Sequence, residues 1–324
     1  MVITRTPFRV SFFGGGTDIP AWFKEEGGQV LSTSIDKYCY VTARNLPPFF
    51  KHSIRLAYSK IETVSNPLDI EHPLVRAILD TRGENNLEIH YDADLPGRSG
   101  LGSSSSFGVG LVSALDGLKG KLMSKKDMAD QIIHFERNVL QEHGGHQDQV
   151  AAAFGGFNQI KFNIDGSYSV NPVVISEDKL TQLKSSLVLC YVPIERLSSD
   201  ISLAKDFDKN ACEQNLRDIS SNVDSALKIL KDGELDDFGS LLDMTWKKKR
   251  DFKGVTNPEI DHIYQRAISA GALGGKLLGA GGGGFMIFYC KPEKQAALKK
   301  ALKGMLFVPF DFESNGSQVI YYQN

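Results

Sequence analysis

Leu95-Pro96-Gly97-Arg98-Ser99-Gly100-Leu101-Gly102-Ser103-Ser104-Ser105-Ser106 sets three glycines and five serines between two apolar stretches. Upstream, Leu87-Glu88-Ile89-His90-Tyr91 alternates like a half-buried strand. Downstream, Phe107-Gly108-Val109-Gly110-Leu111-Val112-Ser113-Ala114-Leu115 continues as a buried helix. Flanks of this kind argue against a flexible linker, the usual reading of Gly/Ser-rich sequence. The stretch is predicted to be a turn that opens a helix. Its glycines remove the Cβ atoms that would hold a ligand off the backbone, and the unpaired N–H groups of the helix start face the cleared space with the positive end of the dipole. This is a cradle for phosphate, with serine hydroxyls within reach of a phosphate oxygen or a magnesium ion.

No Gly-Lys-Ser or Gly-Lys-Thr closes the segment, and its glycine spacing is not that of the dinucleotide fingerprint. Two further glycine turns lie far away in the chain. Thr6-Pro7-Phe8-Arg9-Val10-Ser11-Phe12-Phe13-Gly14-Gly15-Gly16-Thr17-Asp18 reads as a strand running into a turn. Lys276-Leu277-Leu278-Gly279-Ala280-Gly281-Gly282-Gly283-Gly284-Phe285-Met286-Ile287-Phe288 reads as a glycine loop feeding an apolar strand. In content and order the three segments resemble the three motifs of the GHMP kinases, the superfamily of galactokinase, homoserine kinase, mevalonate kinase and phosphomevalonate kinase. The resemblance spans residues 6 to 288. It implies an α+β, two-lobed GHMP kinase fold with the active site in the cleft between the lobes, and an ATP-dependent phosphotransferase that uses ATP and Mg2+ on an alcohol acceptor.

Composition agrees with a globular enzyme: 324 residues, 41% hydrophobic and 23% charged, with a net charge of -2 that speaks against a nucleic-acid partner. The four cysteines, at 39, 190, 212 and 290, form no Cys-x-x-Cys pair and are expected as buried thiols. No basic start leads into a long apolar run and no window approaches a membrane span, so the expected location is cytoplasmic.

Strand-like runs at Gln29 to Ile35, Lys37 to Arg44, Ile54 to Tyr58 and Leu87 to Tyr91 precede the loop, and helices follow from Ser103 to about Leu140. Strands are predicted again at Phe157 to Phe162, Tyr168 to Val174 and Ser186 to Tyr191. Helices are predicted over Ala211 to Lys231, Leu235 to Lys248 and Pro258 to Gly271. After the third glycine segment come a helix from Glu293 and a last strand, Gln318 to Tyr322. Pro193 interrupts the pattern, which puts an N-terminal lobe at 1–192 and a C-terminal lobe at 193–324.

Phosphoryl transfer needs an aligned acceptor, neutralised phosphate charge and a proton acceptor. By the resemblance, Gly97, Ser99, Gly100, Leu101, Gly102, Ser103, Ser104 and Ser105 bind the ATP phosphates. Glu136, on a helix predicted from Lys125 to Gln141, holds magnesium together with Ser104. Asp148, in Gly144-Gly145-His146-Gln147-Asp148-Gln149, is the candidate base. Arg9 lies near that aspartate and steadies the transferring phosphoryl group. The residues alone allow humbler roles: a solvated Glu136 paired with Arg137, Asp148 as a helix cap, and Arg9 in a structural ion pair.

On the acceptor side the resemblance names Gly14, Gly15, Gly16, Thr17 and Asp18, with Asp18 binding sugar hydroxyls, and Gly281 and Gly282 of the third segment. Galactokinases carry Glu and His where this chain has Gly15 and Gly16, which leaves room for a larger or anionic acceptor. The Gly-Gly-Gly-Thr-Asp variant resembles the branch that phosphorylates C1 of D-glycero-D-manno-heptose 7-phosphate, on the way to activated heptose for surface polysaccharide. The expected partner is thus a small-molecule sugar phosphate, with no nucleic acid and no membrane, and with a homodimer as the assembly to consider. Trp246-Lys247-Lys248-Lys249-Arg250 is the dense basic run, and Lys247 and Lys248, with Lys276 behind them, are the candidates for the substrate phosphate. A solvated helix end complementing the dipole is the competing reading of that run. Alternatives for the whole chain are a kinase of fucose or another neutral monosaccharide, and a non-catalytic sugar- and ATP-binding regulator of the galactokinase type.

Overall fold

The computed structural model describes residues 1–97, 99–192, 209–279 and 281–323, without the side chains of 209–212. Arg98, Ala280 and the expected lobe break at Pro193 fall outside the described residues. The chain opens with β1 (Val2–Phe13), whose first half alternates buried and half-buried positions and whose second half is buried on both faces. That second half carries the first glycine turn into the interior. A short helix, α1 (Pro20–Glu26), leads to β2 (Gly28–Asn45), and then come β3 (Ile54–Ala57), β4 (Ile61–Val64), α2 (Pro73–Arg82) and β5 (Leu87–Ala93).

β2 is one 18-residue strand where alternation predicts two. Its pairing with β1 runs from Ala43 opposite Val2 to Leu31 opposite Phe13 and shifts register beside Pro7. Proline has no N–H to give a ladder, so the irregularity sits there rather than ending the strand.

The phosphate-loop candidate follows β5 and opens α3 (Ser103–Leu118), which is buried along most of its length. After α4 (Lys125–Ile133) the chain adds a π-helical turn, His134–Val139, then α5 (Gln147–Phe154), β6 (Phe157–Phe162) and β7 (Tyr168–Pro172). The predicted helix to Gln141 therefore ends in a widened turn. These strands belong to a nine-stranded sheet in which β1, β2, β5, β3 and β4 lie side by side in that order, β6 pairs with β2 and β7 with β6, and two strands near the C-terminus complete it, one beside β1 and one beside β2. Helices α3 and α5 cover β1 and β2.

The remainder comprises α6 (Glu177–Ser186), β8 (Leu187–Val192), α7 (Lys209–Asp232), α8 (Leu235–Arg250), α9 (Pro258–Ser269), β9 (Gly274–Leu277), β10 (Gly284–Tyr289), α10 (Pro292–Ala301), β11 (Leu306–Val308), β12 (Phe312–Glu313) and β13 (Gln318–Tyr322). A four-stranded sheet, β11-β8-β10-β9, carries this part, while β12 and β13 return to the first sheet. Because β8 lies before residue 193 and β13 after it, the two sheets do not divide at the expected 192/193 boundary. α8 packs on β9, α7 and the end of β1, so one helix spans from the second sheet to the first glycine turn. Cys39, Cys190 and Cys290 are buried free thiols, as expected. Among the described residues no helix is long and apolar enough to cross a membrane.

Candidate active site

The second glycine segment meets both of the others. A Cβ on Gly100, whose φ is +89°, would stand 2.3 Å from the Leu278 carbonyl oxygen, so the crossing with the third segment requires glycine here. Phe285 N–H donates to the Ser99 carbonyl at 3.1 Å, and Arg9 N–H to that of Leu101 at 3.0 Å. Gly102, in the left-handed region, precedes α3, and no side chain caps that helix start. The first N–H groups of a helix have no partner within the helix and point toward the turn before it. Ser103 and Ser105 are buried and Ser104 is exposed. The Ser99 hydroxyl is buried without a partner among the described residues.

Arg9, near the end of β1, reaches across to Asp148 in the first turn of α5. Its Nε donates to Oδ1 at 2.8 Å and its Nη2 to Oδ2 at 2.9 Å, while Nη1 donates to the Gly100 carbonyl at 2.7 Å. One guanidinium therefore ties the aspartate to the phosphate-loop candidate. Asp18 lies nearby and is 2% exposed. Its carboxylate accepts from Gly16 N–H at 2.9 Å and from Gln147 N–H at 3.2 Å. Burial pushes its pKa up and the charge of Asp148 adds to that, against the pull of the backbone donors. Gly145 is what lets the segments close, because a Cβ there would land 1.7 Å from Asp18 Oδ2.

A pocket of about 210 Å³ opens between these groups, with Gly15, Gly16, Lys249, Lys276 and Gly279 also on its walls. Lys276 donates from Nζ to the Ser11 and Phe12 carbonyls at 2.8 and 3.1 Å. Burial, with Lys249 and Arg9 near, holds its pKa well below that of a free lysine. Lys249 is 5% exposed. Burial brings its pKa down to about 8, with Asp18 and Asp148 opposing that shift and Arg9 adding to it.

Glu136, on the π-helical turn, is 2% exposed. It accepts from the Ser105 hydroxyl at 3.1 Å and from the Gln149 amide, and Arg137 Nη2 lies 3.4 Å away. Burial raises its pKa to about 7 despite these partners.

Family models for the GHMP kinases N terminal domain and the GHMP kinases C terminal region match residues 71–156 and 225–306. D-glycero-alpha-D-manno-heptose 7-phosphate kinase of Campylobacter jejuni is 32% identical over 93% of this chain and 92% of its own. The chain belongs to the GHMP kinases. A bifunctional fucokinase/GDP-fucose pyrophosphorylase of Arabidopsis thaliana is 26% identical over 92% of this GHMP kinase, which spans 30% of that longer protein. The crystal structure of a D-glycero-D-manno-heptose 1-phosphate kinase from Bacteroides thetaiotaomicron superposes with a TM-score of 0.81, covering both chains fully at 24% identity. The fold is shared at that level, and membership makes the protein an ATP-dependent phosphotransferase.

Within this GHMP kinase the glycine-turn residues divide. Gly15, Gly16 and Asp18 line the pocket. Gly14 packs under Gln29, and the Thr17 hydroxyl donates to the Gly14 and Gln29 carbonyls at 2.8 and 2.9 Å, so both shape the turn from behind. Gly281 and Gly282 pack against Val255 rather than the pocket, and Gly279 of the same segment lines it instead. Glu136 is met by Ser105, with Ser104 one position out at the exposed helix start.

The basic run needs a correction. Lys247 is 65% exposed and pairs with Asp243 at 2.6 Å, and Lys248 pairs with Asp218 of α7, so neither lines the pocket. Successive helical residues point about 100° apart, so three neighbouring lysines face three ways. Phe238, Leu242, Thr245 and Lys249 form the buried stripe of α8. That three-and-four spacing is the signal that picks out Lys249. Sequence reasoning also missed Gly145, whose place directly after Gly144 and ahead of Asp148 was the available cue.

Proposed function

We propose that this kinase transfers the γ-phosphoryl group of ATP to the anomeric C1 hydroxyl of D-glycero-D-manno-heptose 7-phosphate, giving the 1,7-bisphosphate, in the pocket lined by Arg9, Asp18, Asp148 and Lys249. The observation that carries the phosphotransfer chemistry is the Arg9–Asp148 pair against the second glycine segment. A Cβ on Gly102 would lie 3.3 Å from Arg9 Cγ and 3.5 Å from Asp148 Cγ. A fixed carboxylate and guanidinium thus adjoin the start of α3, where the helix N-terminus would receive phosphate. Asp148 is suited to take the proton of the acceptor hydroxyl late in the transfer, where its position counts for more than its basicity. Arg9 holds that carboxylate in plane and offsets charge on the transferring group.

Glu136 and Ser104 would hold the magnesium ion. The donor set is all oxygen, and Glu136 is a carboxylate left largely out of water, which a divalent cation would stabilise. When bound, the ion neutralises charge on the phosphate oxygens.

The acceptor assignment is supported by the C. jejuni relative, by the side-chain-free wall at Gly15 and Gly16, and by a cationic pocket. A neutral sugar such as fucose is the second reading, favoured by the fucokinase relative. ADP release with ATP and Mg2+ over a panel of neutral sugars and sugar phosphates, followed by phosphorus NMR, tests both. Selective turnover of the heptose 7-phosphate with a new C1 phosphate is expected. Turnover of neutral sugars alone would overturn the assignment in favour of the second reading, and nucleotide binding without turnover would favour a regulator.

A further inference from the structure

We infer that Lys249 and Ser11 form an anion-binding subsite for the acceptor, which selects sugars carrying a phosphate remote from the reacting hydroxyl. This rests on the sugar-kinase reading and adds the group that would read the acceptor's charge.

The argument begins with an ammonium that has nothing to bind. Among the described residues the Lys249 ammonium makes no hydrogen bond and no ion pair, although the residue is 5% exposed and lines the pocket. The other cations of its run are engaged, Lys247 with Asp243, Lys248 with Asp218 and Arg250 with Asp261. Lys276 is held by two carbonyls. A desolvated charge without a partner is costly, and a ligand that brings the opposite charge removes that cost.

A second observation converges on the same place. The Ser11 hydroxyl, 4% exposed, is buried with no partner among the described residues. From the position a Cβ would take on Gly15, Lys249 Nζ lies 3.4 Å away, and Ser11 Oγ and Gln147 Nε2 each lie 3.7 Å away. Three donor groups therefore border a space that Gly15 keeps free of side chain. Ammonium, hydroxyl and amide around one gap make a donor set for a tetrahedral anion. The nearby carboxylates are already satisfied, Asp18 by two backbone N–H groups and Asp148 by Arg9. Gly102 of the nucleotide loop packs on Arg9 and Asp148, whereas Lys249 meets Gly15 of the first turn, which points to the acceptor rather than the nucleotide.

The charged groups facing Lys249 are Asp18 from the first turn, Arg9 from β1, Asp148 from α5 and Lys276 from β9. With its pKa at about 8, the free lysine is charged at neutral pH and loses its proton above that. A sugar phosphate is a dianion throughout that range, its second pKa being about 6. The KM for a phosphorylated acceptor should stay level up to about pH 8 and then climb about tenfold per pH unit.

The test measures kcat and KM for wild type, Lys249→Met and Lys249→Arg between pH 7 and 9.5. The substrates are D-glycero-D-manno-heptose 7-phosphate, mannose 6-phosphate and the two unphosphorylated sugars. Lys249→Met should raise KM for a phosphorylated acceptor by about 10–100-fold, with a much smaller change in kcat, and erase the preference over its neutral counterpart. Lys249→Arg should restore most of that preference and remove the rise in KM above pH 8. An equal KM change for phosphorylated and neutral sugars, or a wild-type KM with no rise above pH 8, overturns the subsite. The wild-type pH profile decides the matter should Lys249→Met fail to fold. Heptose 7-phosphate turnover without Lys249 dependence sinks the subsite and keeps the proposed reaction. Dependence on Lys249 with another sugar phosphate keeps the subsite and removes heptose, and turnover confined to neutral sugars removes both.

Discussion

Arg9 and Asp148 meet through two parallel hydrogen bonds of 2.8 and 2.9 Å, with the guanidinium side chain 4% exposed and the carboxylate 28% exposed. A fork of this kind fixes the plane of the carboxylate while leaving its edge open to the pocket. The same guanidinium donates to Gly100, so the aspartate and the phosphate-loop candidate share one anchor. Distance to the loop and orientation of the proposed proton acceptor are thereby set before any ligand binds.

Asp148→Asn is expected to lower kcat by about two to four orders of magnitude, the range for loss of a proton acceptor. The amide keeps one oxygen for Arg9 but turns an NH2 group toward guanidinium N–H donors, so a melting-temperature loss of a few degrees is expected as well. Near wild-type turnover in the folded variant would remove Asp148 from the chemistry.

Gly145→Ala addresses how Asp18 is held. The added methyl would fall on Asp18 Oδ2, and with Gly16 N–H held by Oδ1 and Gln147 N–H by Oδ2 the carboxylate has little freedom to move. Displacing it opens the link between the first turn and α5 and should raise the acceptor KM by about tenfold or more, since small errors in positioning are expensive in rate. ATP binding, measured by calorimetry without acceptor, should hold within a few-fold. A loss of nucleotide affinity larger than the change in acceptor KM would contradict this.

Lys247→Ala is the control that separates surface charge from the pocket. Its partner Asp243 also accepts a hydrogen bond from Tyr264, at 2.7 Å, so it is not stranded by the change. An exposed i,i+4 ion pair contributes about 0.3–0.5 kcal/mol. Both kinetic constants should stay within about twofold of wild type, in line with the usual neutrality of such surface changes. A tenfold rise in acceptor KM would return Lys247 to the substrate.

The glycine segments were legible because each marks a backbone crossing that no other residue can make, as Gly100 does against Leu278. The strands at Leu87 and Phe157 and the helices after Ala211 followed from periodicity. The sequence predicts two strands, Gln29 to Ile35 and Lys37 to Arg44, parted at Asp36, while the ladder to β1 that makes them one strand is a tertiary fact that local sequence does not carry. The π-helical turn under Glu136 leaves no mark in composition, and neither does the hydrogen bond that brings Ser105 to Glu136. Lys249 was hidden among equal charges although the stripe of Phe238, Leu242 and Thr245 led to it.

Glu136→Gln should separate stability from activity. The carboxyl has a pKa of about 7 in the folded protein against 4.5 for an ordinary glutamate, raised by burial and lowered in part by Arg137, Gln149 and Ser105. A raised carboxyl pKa means that the fold favours the neutral form. That stabilisation is fully present below pH 4.5 and is lost as pH rises through 7. Without divalent metal the wild type should therefore lose roughly 1–3 kcal/mol between pH 5 and pH 8 from this group, whereas the glutamine variant should not. In EDTA at pH 8, Glu136→Gln is expected to be the more stable protein by that amount in urea melts, with the two proteins close to equal at pH 5. The same change removes a proposed magnesium ligand, so turnover should fall and the Mg2+ concentration for half-maximal rate should rise about 10–100-fold, the cost typical of metal-site changes. A variant less stable than wild type at pH 8 would mean that the Glu136 charge is well compensated by Arg137 and Gln149, and that the metal is not needed to offset its burial.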